Sequence, residues 1–132
     1  MQSKQCINQI KIDLPCLPLT EFWQEGIADL NMTSFIRDNE GYFFLNKDFK
    51  EYKNLLVSID AGARLKGEPF VMSIDKANTI ADIVIPVALG LYKVYTDTDL
   101  LELHKPMTDP VNLVFESITI HENNVVDIFF GS

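Results

Sequence analysis

The chain has 132 residues, 47% of them apolar, and a formal net charge of −8 at pH 7. That length and composition fit one compact domain over residues 1–132 and argue against a disordered chain or a miniature stapled by metal or disulfides. The charge is lopsided: residues 1–66 hold nine acids and eight bases, net −1, whereas residues 67–132 hold ten acids and three bases, net −7. Nucleic acids and anionic membranes are bound by clustered Lys and Arg, so neither is expected as a partner.

The opening MQSKQCINQIKIDL has no long apolar run, so no secretory leader is expected. Cys6 and Cys16 form no CxxC pair and have no neighbouring His. They are expected to be reduced, in a cytoplasmic protein without zinc.

Ile10, Ile12 and Leu14 alternate with polar neighbours, which predicts a half-buried strand from Cys6 to Asp13, ended by Pro15. Thr20 precedes EFWQEGIADLN, where Trp23, Ile27 and Leu30 have helical spacing, with Thr20 as the cap. SFIR and YFFLN flank DNEG, a turn sequence, and predict a hairpin over residues 34–46. In DFKEYKNLLVSIDAGARLKG, Phe49, Tyr52, Leu56, Ile59 and Ala63 recur at steps of three and four. This predicts a central helix from Asp48 to Lys66, with Asp48 and Glu51 as a capping box and Gly67 as its end.

FVMSI after Pro69 reads as a short strand. Thr79 with Asp82 can open a helix, which Pro86 is expected to stop after about two turns. A buried strand is then expected from Val87, the alternative being a strand throughout with Pro86 at an edge or bulge. The window Ile80–Tyr95 carries Asp82, Pro86 and Gly90 and is shorter than the ~20 apolar residues that cross a bilayer, so it reads as core.

TDTDLLELHKP, from Thr96 to Pro106, gathers Asp97, Asp99, Glu102 and His104. As a calcium loop it lacks the third oxygen ligand and the turning Gly. On a strand the four side chains split between two faces, and in a helix Glu102 and His104 diverge by about 200°. The economical reading is a short helix with Asp99 and Glu102 as a capping box, His104 and Lys105 near its negative end, and Pro106 as its stop.

Phe115–His121 and Val125–Phe130 flank Glu122-Asn123-Asn124. A three-residue loop pairs Ile120 with Val126 and Ile118 with Ile128, gathering the apolar side chains on one face. A two-residue turn mixes the faces, so the first register is expected, with Asn124 left-handed. The other face then carries Ser117, Thr119, His121, Val125, Asp127 and Phe129. Ser117 and His121 are roughly 13 Å apart along such a strand, too far for a Ser/His/Asp triad.

No phosphate-binding glycine loop or HExxH occurs, and there are only two His. No catalytic residue, cofactor or metal is therefore expected. The fold predicted is α+β: a mixed, mainly antiparallel sheet of about five to seven strands packed against two or three helices, ending in a hairpin. The function expected is a non-enzymatic, acidic cytosolic binding protein that engages a basic protein, in its sharpest form an inhibitor or immunity-type protein neutralising a nuclease-like toxin. Asp97, Asp99 and Glu102, with His121, Val125, Asp127 and Phe129, are the partner-binding candidates. A self-assembling homo-oligomer subunit or secretion-type chaperone is the first alternative. A small-molecule binder or modest enzyme, with Trp23, Phe43 and Phe44 lining its pocket, is the second.

Overall fold

A computed structural model describes residues 9–23, 45, 47–59 and 64–131. The fold is α+β. Strands β1 (Ile10–Pro18), β2 (Asp48–Ile59), β3 (Phe70–Thr79), β4 (Val114–Ile120) and β5 (Val125–Gly131) form one sheet in the order β1-β4-β5-β2-β3. Neighbours are antiparallel except β2 and β5, which run parallel. Helices α1 (Ala81–Thr96) and α2 (Thr98–His104) connect β3 to β4.

The helix expected from Asp48 is not formed over Asp48–Ile59. Asp48–Ile59 is a strand, because Leu55, Val57 and Ile59 alternate inward while Leu56, which a helical stripe would bury, is 44% exposed. At Asn54 the backbone takes a positive φ of 56° and the alternation slips by one residue. Tyr52 and Leu55 are both buried, three apart, as Ala77 and Ile74 are on β3. Such a slip writes a helix-like step into a strand sequence. Residues 60–63, including Ala63, lie outside the described residues.

The second correction is α1. It runs unbroken through Pro86 rather than stopping there and giving way to a strand at Val87. Its start is the expected capping box: Asp82 N–H donates to Thr79 Oγ1 (3.3 Å), and Thr79 N–H donates to Asp82 Oδ2 (3.1 Å). Proline removes one intrahelical hydrogen bond. The helix persists because Ile83, Val84, Val87, Ala88, Leu91 and Val94, on both sides of Pro86, are all buried at helical spacing. Gly90 lets α1 lie close on β3, since a Cβ there would stand 2.8 Å from the Phe70 ring.

Smaller differences follow the same logic. β1 does not end at Pro15: it continues to Pro18 through a register shift between Asp13 and Leu17, where Cys16 has φ 50°. Thr20 lies inside a 3₁₀ turn, Leu19–Trp23, rather than capping a helix after it. The rest of that predicted helix, and the residue 34–46 hairpin apart from Leu45, lie outside the described residues. β3 runs well beyond FVMSI, to Thr79.

The β4–β5 hairpin has the expected register, with Ile118 opposite Ile128 and Ile120 opposite Val126. Asn124 is left-handed at φ 65°, and its N–H donates to the His121 carbonyl at 2.9 Å. The inward side chains of the sheet meet α1 and the 3₁₀ turn in one core, with Phe22 and Phe115 among its largest fully buried members.

Candidate functional site

The acid-rich stretch folds as a pinned corner. Asp97 caps α2, its Oδ1 accepting from the N–H groups of Asp99 (2.9 Å) and Leu100 (3.1 Å). The cap is thus Asp97, not Asp99: an Asx side chain satisfies amides two and three residues on, and α1 ends directly before it. Asp99 and Glu102 are left exposed. Lys105, left-handed at φ 48°, ends α2, its N–H donating to the Leu101 carbonyl at 2.8 Å.

His104 turns inward. It is 6% exposed, its Nδ1 lies 2.8 Å from the Glu68 carbonyl, and its ring meets Phe70 edge-on at 5.4 Å. The backbone beside it is laced to the segment before β3. Lys66, Gly67 and Glu68 donate to the carbonyls of Lys105, His104 and Leu103, and Met107 donates to that of Arg64. Gly67 is required there, because a Cβ would run into the Leu103 carbonyl oxygen.

Beyond the corner, Tyr95 donates its hydroxyl to the Thr108 carbonyl at 2.7 Å, and Asp109 Oδ1 accepts from Val111 N–H at 3.1 Å, opening a second 3₁₀ turn. Burial, helped by the Asp109 carboxylate, pushes the Tyr95 hydroxyl up to about 12 from its ordinary 10.0. The folded state therefore keeps this proton where the unfolded chain has lost it. Stability from Tyr95 is complete below pH 10 and is lost as pH rises toward 12. Urea unfolding measured across that range is expected to show the decline, and Tyr95→Phe to flatten it.

This pinned segment leaves four apolar side chains in the open: Leu101 (42%), Leu103 (50%), Met107 (70%) and Val111 (65%). They interleave with exposed Asp97, Asp99, Glu102 and Asp109, against Lys93 and Lys105. Sequence reasoning found Asp97, Asp99 and Glu102 and missed Asp109 and the apolar partners. The signal was Leu100, Leu101 and Leu103 within seven helical residues, more directions than so short a helix can bury.

His121, Val125, Asp127 and Phe129 lie elsewhere, on the sheet face turned away from the core. His121 Nε2 and Asp127 Oδ2 are 2.7 Å apart, both partly exposed. Ser117 lies two rungs from His121 along β4 and is buried. The seven candidate residues thus fall into two groups, one on the helical layer and one on the opposite sheet face. Trp23 is occupied by packing: its Nε1–H donates to the Ala88 carbonyl at 2.8 Å, and its ring meets Tyr92 and Tyr95 at 5.4 and 5.7 Å. Phe43 and Phe44 lie outside the described residues.

Among the described residues, no three His, Cys, Asp or Glu side chains gather in a metal-binding arrangement. No described helix is long and apolar enough to cross a membrane. No family model matches the chain, and neither a curated protein nor a solved structure matches it.

Proposed function

We propose that this chain is a non-enzymatic binding protein that presents its acidic α1–α2 corner to a basic protein partner. The observation that carries the reading is the mixture of exposed Leu101, Leu103, Met107 and Val111 with Asp97, Asp99, Glu102 and Asp109 on backbone held by hydrogen bonds. Apolar side chains supply the desolvation that makes an interface stable, and Met adapts its shape to what it meets. Carboxylates around them steer a cationic surface inward and fix its orientation. A pinned backbone limits the conformational entropy lost on docking.

In its sharpest form the partner is a nuclease-like toxin, and the chain its inhibitor or immunity protein. An enzyme that holds phosphates carries the cationic surface this corner complements. We place the protein in the cytosol, where the exposed Cys16 thiol stays reduced.

The test is a chromatographic comparison. Wild-type chain and the triple variant Asp97→Asn, Asp99→Asn, Glu102→Gln are immobilised, exposed to lysate of the source cells and eluted in rising salt. Asn caps a helix as well as Asp, so the variant keeps α2. A basic protein held by the wild type and released early or not retained by the variant supports the reading. Identical elution from both columns refutes it.

A further inference from the structure

We infer that the cleft between the N-terminal halves of β1 and β2 binds a small organic monocarboxylate with an apolar body, its carboxylate held by Tyr52 and Lys50.

The cleft follows from strand lengths. β2 pairs with β5 only over Leu56–Ser58, so Asp48 to Leu55 overhang the tip of the β4–β5 hairpin. β1 starts at the same end of the sheet, with Ile10 opposite Ile120. The overhang is bulged: Asp48 lies opposite Thr79 and Tyr52 opposite Ala77, four steps along β2 against two along β3. A bulge of this kind re-aims the side chains it carries. Here the Phe49 and Tyr52 rings come to lie 5.7 Å apart, and Lys50 Nζ stands 5.0 Å from the centre of the Tyr52 ring.

Two adjoining cavities result. One, of about 490 Å³, has apolar walls from Ile10, Ile12, Pro15, Phe49 and Ile80. The other, of about 400 Å³, lies at the hairpin tip between Lys50, Tyr52, His121 and Asn124. Ile10 lines both. Spaces of this size accept small ligands, with apolar walls for the body and a few polar groups for orientation.

The open donors identify the ligand's head. Tyr52 is only 8% exposed, and its hydroxyl has no hydrogen-bond partner among the described residues. A buried donor without an acceptor is costly, and a ligand oxygen relieves that cost. Lys50 pairs with no described carboxylate, and neighbouring Glu51 is held by Lys53 (3.8 Å) and Lys76 (3.2 Å). The other wall is engaged already. His121 Nε2 lies 2.7 Å from Asp127 Oδ2, and Asn124 Nδ2 donates to the Lys53 carbonyl at 3.3 Å. A phenol O–H and an ammonium thus remain, and they match the two oxygens and single charge of a carboxylate. A phosphate brings more oxygens and more charge than these two donors satisfy. In the larger cavity Lys11 is paired with Asp13 at 3.7 Å and Lys47 adjoins Asp48, which leaves its apolar walls to the ligand's body.

The test is calorimetric titration with hexanoate, octanoate and decanoate, below micelle formation, and with octanamide as the uncharged control. Saturable one-to-one binding is expected, roughly fourfold tighter for each CH₂ that is buried. Octanamide is expected to bind several-fold more weakly than octanoate. Lys50→Met and, separately, Tyr52→Phe should each weaken decanoate several-fold. Tyr52→Phe should leave the melting temperature unchanged or raised, because it removes only an unsatisfied hydroxyl. No saturable binding of decanoate at millimolar concentration overturns the proposal. So does an affinity indifferent to chain length, equal for octanamide, or retained in both variants. A lowered melting temperature in Tyr52→Phe would mean that the hydroxyl already has a partner, and overturns it too. The Asp97→Asn, Asp99→Asn, Glu102→Gln variant should bind decanoate as the wild type does, so this site and the corner stand or fall separately.

Discussion

Replacing Phe115 with Ala is expected to lower the free energy of unfolding by ~3–5 kcal/mol, the cost of removing a buried aromatic side chain and leaving a cavity. Its ring has no exposure, meets Phe22 edge-on at 5.8 Å, and lies 4.8 Å from Phe130. It also sits where the β4–β5 register shifts between Phe115 and Ser117, opposite Leu17 of β1. One side chain therefore joins both outer contacts of β4 to the 3₁₀ turn that carries Phe22. Domains are stable by only ~5–15 kcal/mol, so this variant stands close to unfolding. Urea melts of Phe115→Ala beside Phe115→Leu measure it. Leu refills part of the cavity and should recover more than half of the loss, and a change under ~1 kcal/mol in the Ala variant would contradict this packing.

The second large effect is expected at Gly67. An added methyl collides with the Leu103 carbonyl oxygen, and backbone on both sides cannot swing away as a flexible side chain would. Relief requires separating residues 66–68 from residues 103–105, which breaks the hydrogen bonds from Lys66, Gly67 and Glu68 together. Gly67→Ala is thus expected to cost ~1–3 kcal/mol, the range of an overpacked site. The loss should be local. Amide exchange is expected to speed up at Lys66, Gly67, Glu68 and Met107, the donors of the lacing, while the β4–β5 hairpin stays protected, since structural units can open separately. Uniformly faster exchange, or none, would mean that the corner is not held by this lacing.

How much of this was legible depended on whether one local signal excluded its rivals. The C-terminal hairpin was readable because one register alone gathers Ile118, Ile120, Val126 and Ile128, and Asn124 tolerates the left-handed turn. The Thr79–Asp82 capping box was readable for the same reason. β2 misled because Phe49, Tyr52, Leu56 and Ile59 recur at helical steps, whereas the slip at Asn54 turns Leu55 inward with Tyr52 and leaves Leu56 exposed. Pro86 misled because the cost of one missing hydrogen bond was weighed without the seven apolar residues that α1 buries around it. Local rules price a residue alone, whereas the fold settles the sum.

At the corner, Asp97, Asp99, Glu102 and the short helix were visible in the sequence. The inward turn of His104 was not, since it depends on Glu68 and Phe70, more than thirty residues away in the chain. The exposure of Met107 and Val111 was equally hidden. Nothing in their identity distinguishes an open apolar side chain from a buried one.

The central claim is that the carboxylates of the α1–α2 corner steer a basic partner. It is tested most directly by stopped-flow association of the partner recovered on the column, at salt from ~20 to ~500 mM, where the screening length shrinks from about 20 Å to below 5 Å. The account predicts a wild-type association rate that falls at least tenfold across that range. The Asp97→Asn, Asp99→Asn, Glu102→Gln variant should start slower and change little. Equal rates for the two proteins, flat in salt, would contradict it.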